Sequence, residues 1–507
     1  MVQMRKWRVL LDCGVEGTAQ RLSYRNILDG LARAIKSGRL PSGTALPGTR
    51  EMATLLGVNR KTVILAYEEA AIKGWLTSEQ RRGTFVNAGF APTDTPSAPE
   101  PRPAATAAPG YALDYSAASL PAYFDALADY RKDYGDAADT LFFDNGMPDH
   151  RLLPQATLQR YYRSAMKSAF RADWVRYGNQ AIEDQLRTAL AEMLGSTRAF
   201  KTSPTRICLT QGTQPALHLI ASLLIRPGDR VLVERLSYPP AWAIFRDLGA
   251  DIRAIDVDEA GCVVQQIEAI CQQQPIRFIY LTPHHQFPTT VSLRADRREK
   301  LLSLSTQHGF AVIEEDYDHE YHFNGRPYPP LASDPRHQNV IYLGSLSKLL
   351  GSTFRCAFIV APENLINALN KRQRLLASHS DVVLQKMLAE LIASGELRRH
   401  VRRSARQYRL RQATLIACLR QHFGDHIAIR APEGGLALWV TFNDEIDVDK
   451  MVQRAAQEHL FVRNGRQFSP TAEKVNGLRL GFAAMTPAEL EAAVTRLHQA
   501  WQHSRND

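Results

Sequence analysis

Apolar residues recur at helical spacing over 22–37, with Leu28, Leu31, Ala32 and Ile35 on one face and Gly38 ending the run. Pro41, Gly43, Pro47 and Gly48 then mark turns. Thr49 is placed to cap a short helix that ends at Leu56; Gly57 breaks it, and Asn59 is placed to cap a second helix over 60–73. Two short helices joined by a tight glycine turn predict a helix-turn-helix. Beyond Gly74, the runs 75–77 and 84–86 flank a basic turn at 79–83 and predict a small hairpin.

Later in the chain the pattern changes. Short apolar runs at 206–210, 230–234 and 276–282 alternate with helical patterns at 216–224 and near 241–248, and further strand patterns fall at 311–314, 340–343 and 356–360. This alternation predicts a mostly parallel α/β sheet with crossover helices. The runs 431–442 and 478–483 lie beyond a long Arg-rich helical stretch, 394–419, and predict a smaller C-terminal α+β lobe. Between the two regimes, 88–112 is rich in Pro, Ala and Thr and has no apolar period, which reads as a semi-extended linker. The expected organisation is a reader at 18–87, a linker at 88–112, and a second domain at 113–500. That domain divides into a large part, about 150–365, and a small lobe, about 366–500, and the stretch 113–140 could pack on either side of the boundary.

Bulk composition narrows the class. A length of 507 residues suggests two to four domains. With 45% hydrophobic and 22% charged residues, neither wholesale disorder nor a membrane protein is favoured. No run approaches the ~18 apolar residues of a membrane helix, and Val9, Leu10 and Leu11 are too few for a signal-peptide core, so a cytoplasmic protein is expected. The charge is uneven: residues 1–90 hold fourteen Lys/Arg against seven acids, most of the net +10. Such an excess suits a polyanion such as DNA. Six scattered cysteines, with no Cys or His cluster at ligand spacing along the chain, predict neither disulfides nor a metal site.

The segment LPGTREMATLLGVNRKTVILAYEEA (46–70), extending to GTFV at 83–86, resembles the GntR-type winged helix-turn-helix, usually L-P-S-x-R-x-L-A-x-x-L-G-V-S-R-x-T-V. The resemblance implies DNA binding. Asn59, Arg60, Lys61 and Thr62 stand at the start of the second helix, where such proteins read base edges. Arg50, and Arg81 and Arg82 in the wing, are placed to hold phosphates.

Lys348, within YLGSLSKLLGSTFR (342–355), follows a buried strand and has Ser345, Ser347 and Arg355 around it. A buried lysine loses its proton easily and forms a Schiff base with an aldehyde, while hydroxyls and an arginine hold a phosphate. TQGTQPAL (210–217) follows a strand and opens a helix, so the N–H groups of Gly212, Thr213 and Gln214 can complete a phosphate cup. These segments resemble the pyridoxal-phosphate site of fold-type I aminotransferases. By that resemblance Tyr238 stacks on the cofactor ring, Tyr177 reaches the partner subunit's phosphate in a head-to-tail homodimer, and Arg479 in GLRLGFA grips a substrate carboxylate, with Arg466 as competitor.

IEEDYDHEYHFNGRP (313–327) resembles the E-D-D-Y-D signature of the MocR/GabR family of pyridoxal-phosphate-dependent regulators, in which a GntR-type reader is fused to an aminotransferase-like domain. The resemblance implies a carboxylate against the pyridine nitrogen and a hydrogen bond from Tyr317 to the ring oxygen. Strand parity favours Glu315 for the carboxylate, with Asp316 left open. TPHHQFPTT (282–290) is similar to the family's T-P-S-H-Q-F-P-T-G, with Thr290 in place of glycine, and brings His285 or Gln286 toward the cofactor. The function implied is a regulator that binds double-stranded operator DNA and senses an amine, an amino acid or pyridoxal phosphate itself by Schiff-base exchange at Lys348. The alternative is a working aminotransferase with an appended DNA-binding module.

Overall fold

The computed structural model describes residues 7, 10–11, 22–79, 82–87, 139–171, 180–324, 327–376 and 381–505. They divide between two units, within Met1–Tyr115 and within Ser116–Asp507. The expected linker, 88–112, and the stretch 113–138 lie outside the described residues.

In the first unit, Ser23 begins α1 (Tyr24–Lys36) with a capping box closed by Asn26. Then follow β1 (Ala45–Leu46), α2 (Thr49–Leu56), α3 (Arg60–Ile72), β2 (Leu76–Glu79) and β3 (Gly83–Val86). The turn between α2 and α3 needs Gly57, whose φ of +68° lies in the left-handed region. Asn59 caps α3 as expected, accepting a hydrogen bond from Lys61 N at 2.9 Å. The other cap differs from expectation. Gly48 rather than Thr49 holds the N-cap, because the Gly48 carbonyl accepts the first helical bond from Met52 N, while Thr49 Oγ1 accepts from Arg60 Nε at 3.3 Å. β3 pairs with both β2 and β1, so the hairpin is a three-stranded wing. Ile27, Leu31, Met52, Leu56, Val63 and Tyr67 close the core, and Leu11, upstream of the expected boundary, is buried among them.

The second unit is built on seven strands. β4 (Leu141–Phe142) precedes them, and α4 (Gln180–Arg198) leads into β5 (Ile207–Thr210) and α5 (Thr213–Leu224). The chain continues through β6 (Arg230–Glu234), α6 (Pro239–Asp247), β7 (Asp251–Ile255), α7 (Val264–Gln273), β8 (Phe278–Leu281), α8 (Ala295–His308), β9 (Ala311–Asp316), β10 (Val340–Ser345), β11 (Ala357–Val360) and α9 (Glu363–Leu376). The sheet order is β5-β11-β10-β9-β8-β6-β7. Only β11 runs antiparallel to its neighbours.

Strands covered on both faces need continuous apolar runs, which is what these segments carry. Val231, Val233, Phe278, Tyr280 and Ile313 pack on one side with α5, α6 and α9, while Leu232, Ile279, Leu281 and Val312 pack on the other with α7 and α8. Successive residues thus serve opposite layers.

The C-terminal lobe follows the long helix α10 (Glu396–Phe423). It consists of the antiparallel strands β12 (Ile427–Ile429), β13 (Ala437–Phe442) and β15 (Gly477–Gly481), the short strand β14 (Leu460–Phe461), and α11 (Pro487–Ser504). β4 pairs in parallel with β14, so the chain entering the large sheet first adds an edge to the lobe.

Candidate functional site

Ligands in open α/β sheets bind beyond the carboxyl ends of the parallel strands, and there β5, β6, β8, β9 and β10 surround a cavity of about 260 Å³. Lys348 enters it three residues after β10. Its ammonium donates to Gly146 O at 2.7 Å and Asn145 O at 3.4 Å. Burial pulls the amine down to about 8, and the Arg479 charge acts in the same direction, against the pull of Asp144, Asp318 and Glu315.

One end of the cavity is an anion cradle. Gly212 is the N-cap of α5, with φ +112° and no side chain to cap the helix. A Cβ there would lie 2.8 Å from Arg355 Nη2. A residue without a side chain is therefore required for the guanidinium to lie against the helix N-terminus. Thr213, Gln214, Ser345, Ser347, Ser352 and Arg355 line the same cavity. An uncapped helix start, hydroxyls and an arginine form the donor set a phosphate monoester needs.

The opposite wall is acidic and aromatic. Glu315 faces the cavity and accepts from Tyr280 Oη at 2.5 Å; burial raises its carboxyl to about 7, opposed by that hydrogen bond and by Lys348. Asp316 points through the other face of β9, where it accepts from Tyr342 Oη at 2.9 Å and lies 3.4 Å from Arg198 Nη1 and 3.0 Å from His319 Nδ1. Its neighbours His319 and Arg198 hold it far below the usual carboxylate range despite its burial. Of the two acids left open by strand parity, Glu315 is therefore the one presented to the cavity. Tyr238 and Phe287 meet edge to face, with centroids 5.5 Å apart, and both line the cavity. Tyr317 lines it too, and its hydroxyl donates to His285 O at 2.9 Å.

Other expectations need correction. His285 does not line the cavity: its Nδ1 lies 2.7 Å from Asp318 Oδ1, which turns the ring away. Gln286 is spent on Glu234, Leu236 O and Phe287 O. Arg466 is exposed and donates to Ala472 O. Arg479 is buried behind Phe287 and Tyr317, with its guanidinium 4.5 Å from the Phe287 ring centroid, 2.8 Å from Pro288 O and 3.4 Å from Tyr317 Oη, and Nε has no hydrogen-bond partner among the described residues. Chain spacing shows no Cys or His cluster, yet the fold brings together His284, His285 and His322 from two loops, with one nitrogen of each within 4.8 Å of the others. Tyr177 and Arg81 lie outside the described residues.

Asn145, Met147, Tyr280, Thr282 and Ser352 line the cavity without having been singled out. The Asp-Asn-Gly turn at 144–146 was a readable signal; nothing marked Tyr280 apart from its strand neighbours.

On the first unit, Asn59, Arg60 and Lys61 are exposed at the start of α3, Thr62 is half-buried beside them, and Arg50 is exposed on α2. Arg82 pairs with Glu79 at 2.6 Å on the exposed wing, a contact worth little in water and easily exchanged for a phosphate.

Comparison with known proteins agrees with both halves of this geometry. Residues 150–497 match the family Aminotransferase class I and II, and residues 23–86 match Bacterial regulatory proteins, gntR family. The chain belongs to the class I and II aminotransferase family and carries a GntR-type helix-turn-helix in front of it. This is the fused architecture of MocR-type regulators. The probable rhizopine catabolism regulatory protein MocR of Rhizobium meliloti is 29% identical over 488 residues, covering 94% of this chain and 93% of that protein. The HTH-type transcriptional regulator TauR of Rhodobacter capsulatus is 28% identical over 495 residues, covering 96% and 97%. Among solved structures, the α-aminoadipate aminotransferase of Thermus thermophilus, complexed with N-(5'-phosphopyridoxyl)-L-leucine, superposes with a TM-score of 0.69 at 24% identity, over 77% of this chain and 98% of that one. Pyridoxal phosphate is the expected cofactor of this fold, and the cradle at Gly212, the buried amine of Lys348 and the carboxyl of Glu315 fit its phosphate, aldehyde and pyridine nitrogen.

Two outcomes are expected. In cofactor-free protein Glu315 keeps its proton up to about pH 7, whereas in the unfolded chain it ionises near 4.5. The folded state binds more protons in that window, so stability falls as pH rises through it, by up to about 1.4 kcal/mol per pH unit from this group. Glu315→Gln removes that share, which urea midpoints at about pH 5 and about pH 7 will show. On DNA, Arg60→Ala costs about 1–3 kcal/mol on a selected sequence and relaxes preference at one base pair. Equal losses on selected and random duplexes would make Arg60 a phosphate contact instead.

Proposed function

We propose that the chain is a transcriptional regulator that binds operator DNA through α2, α3 and the wing, holds pyridoxal phosphate at Lys348, and changes its DNA binding when an amine or amino acid occupies the cavity. The carrying observation is the pairing, in one chain, of a capped helix-turn-helix with a cavity whose lysine, phosphate cradle and acidic wall all face one space.

Bound pyridoxal phosphate supplies an electrophilic carbon and an electron-withdrawing ring. Lys348 offers an amine at about 8, so about a tenth of it is neutral at pH 7, far more than for an ordinary lysine, and it can attack an aldehyde and be exchanged for another amine. Gly212, Thr213, Gln214, Ser345, Ser347 and Arg355 anchor the phosphate. Glu315, held on one side by Tyr280, keeps a pyridine nitrogen protonated. Tyr238 would cover the ring, and Tyr317, whose hydroxyl donates to His285 O, would orient the ring oxygen. Arg479, behind Tyr317, has guanidinium donors left for an effector carboxylate.

The proposed assembly is a head-to-tail homodimer in which Tyr177 reaches the partner's phosphate, as in aminotransferases. Binding both conformations equally would shift nothing, so the effector must favour one arrangement of the two readers. A second reading, a working aminotransferase, is favoured by the same intact amine, carboxyl and arginine set.

Lys348→Ala is expected to lose the visible absorption of the bound cofactor and the borohydride-trapped adduct, to retain affinity for DNA selected by the wild-type protein, and to lose any change of that affinity on adding amines. Absorbance, adduct mass and DNA titration check this. A variant that still responds to amines would separate sensing from Lys348.

A further inference from the structure

Four histidines stand behind the cofactor cavity and have no part in the function above. His284 and His285 follow β8, and His319 and His322 follow β9. One nitrogen from each of His284, His285 and His322 lies within 4.8 Å of the others. The His284 ring centroid is 4.2 Å from that of His285, 4.5 Å from His319 and 5.9 Å from His322. His284 is 5% exposed, yet neither of its nitrogens has a hydrogen-bond partner among the described residues, while His322 Nε2 lies 3.9 Å from Glu433 Oε2. Burying imidazoles unpartnered is costly, and a fold that gathers them calls for a group that satisfies them.

The surroundings have the form of a second coordination layer. Asp318 Oδ1 lies 2.7 Å from His285 Nδ1, and Asp316 Oδ2 lies 3.0 Å from His319 Nδ1. A carboxylate on one imidazole nitrogen fixes the ring and leaves the other nitrogen to bind. The two acids also place negative charge beside the cluster. Access exists, because His319 and His322 line a separate cavity of about 550 Å³. In TPHHQFPTT, His284 stands where the family pattern has serine, so the cluster is a feature of this chain's own residues.

We propose that His284, His285 and His322 bind a divalent transition metal ion, zinc or a metal of similar ligand preference, with His319 beside them as the candidate fourth ligand. Three imidazoles suit zinc, nickel, cobalt or copper and disfavour magnesium and calcium, which prefer oxygen. Through these imidazoles the ion would cross-link the loop carrying Phe287 to the loop carrying Tyr317, two walls of the cofactor cavity that the hydrogen bond from Tyr317 Oη to His285 O already joins.

The test uses untagged full-length protein, freed of metal by chelator and titrated with zinc ion by calorimetry, with bound metal counted by elemental analysis. About one zinc per chain and a raised melting temperature are expected. His284→Ser and His322→Gln should each weaken binding by on the order of 100-fold, while His308→Gln, on an exposed helix end, should not. Melting of the metal-free variants and their cofactor absorption report folding; His322→Gln, at the cavity side, keeps the test valid if His284→Ser fails to fold. Wild-type protein that binds no stoichiometric zinc, or zinc binding unchanged in His322→Gln, overturns the proposal.

Discussion

Three consecutive carboxylates, Glu314, Glu315 and Asp316, end the central strand β9, all buried, and the site exists only because each is met separately. A buried charge without a partner is worth several kcal/mol against folding. Glu314 accepts the backbone N–H groups of Leu331 and Ala332 at 2.8 and 2.9 Å. Asp316 is held by Arg198 and Tyr342, while Glu315, on the opposite face, meets Tyr280 and the charge of Lys348. A one-residue slip of β9 would exchange these faces and put Asp316 in the cavity and Glu315 against Arg198. The register of β9 with β8 and β10 therefore decides which acid the cavity presents, and that register is set by the apolar residues that precede the acids.

The same logic explains what could be read in advance. Period-two alternation in a strand puts Glu315 and Tyr317 on one face, and glycines at 57 and 212 mark a helix-turn-helix bend and a helix start. Apolar runs bounded by turn residues marked the strands of the large sheet, although their order and the reversal of β11 come from long-range pairing that no local pattern carries. Helix caps were half legible: Asn59 caps, but Thr49 yields to Gly48, since a hydroxyl beside a helix start does not say which carbonyl takes the first bond. Contacts between distant segments were not legible. Tyr280 looks like any strand aromatic until its hydroxyl is seen to donate to Glu315 on the neighbouring strand, and His284 and His322 lie 38 positions apart in sequence. His285 was misjudged for the same reason, because its partner Asp318 sits on another loop.

The two units divide the chemistry cleanly. The first offers exposed cations at a capped helix start, suited to a duplex. The second gathers cations about one small cavity: Lys348 and Arg355 line it, and Arg479 is buried behind Phe287 and Tyr317. Its fold is that of enzymes, and its cavity keeps the parts needed to bind an amine. In the proposed regulator, the fused reader gives such binding a consequence beyond turnover. Amine exchange at one lysine is a local event, and its effect on DNA depends on whether occupied and empty cavities favour different arrangements of the readers.

Linkage makes that dependence measurable from the cofactor side. If an amine alters DNA affinity, DNA must alter amine affinity by the same factor. The most direct measurement is the dissociation constant of an amino acid for the cofactor-loaded protein, read from the visible spectrum with and without a saturating duplex that the protein has itself selected. The account predicts constants that differ by about 5–150-fold for the true effector. Identical constants for every amine that perturbs the spectrum would contradict it and leave an aminotransferase carrying a DNA-binding module.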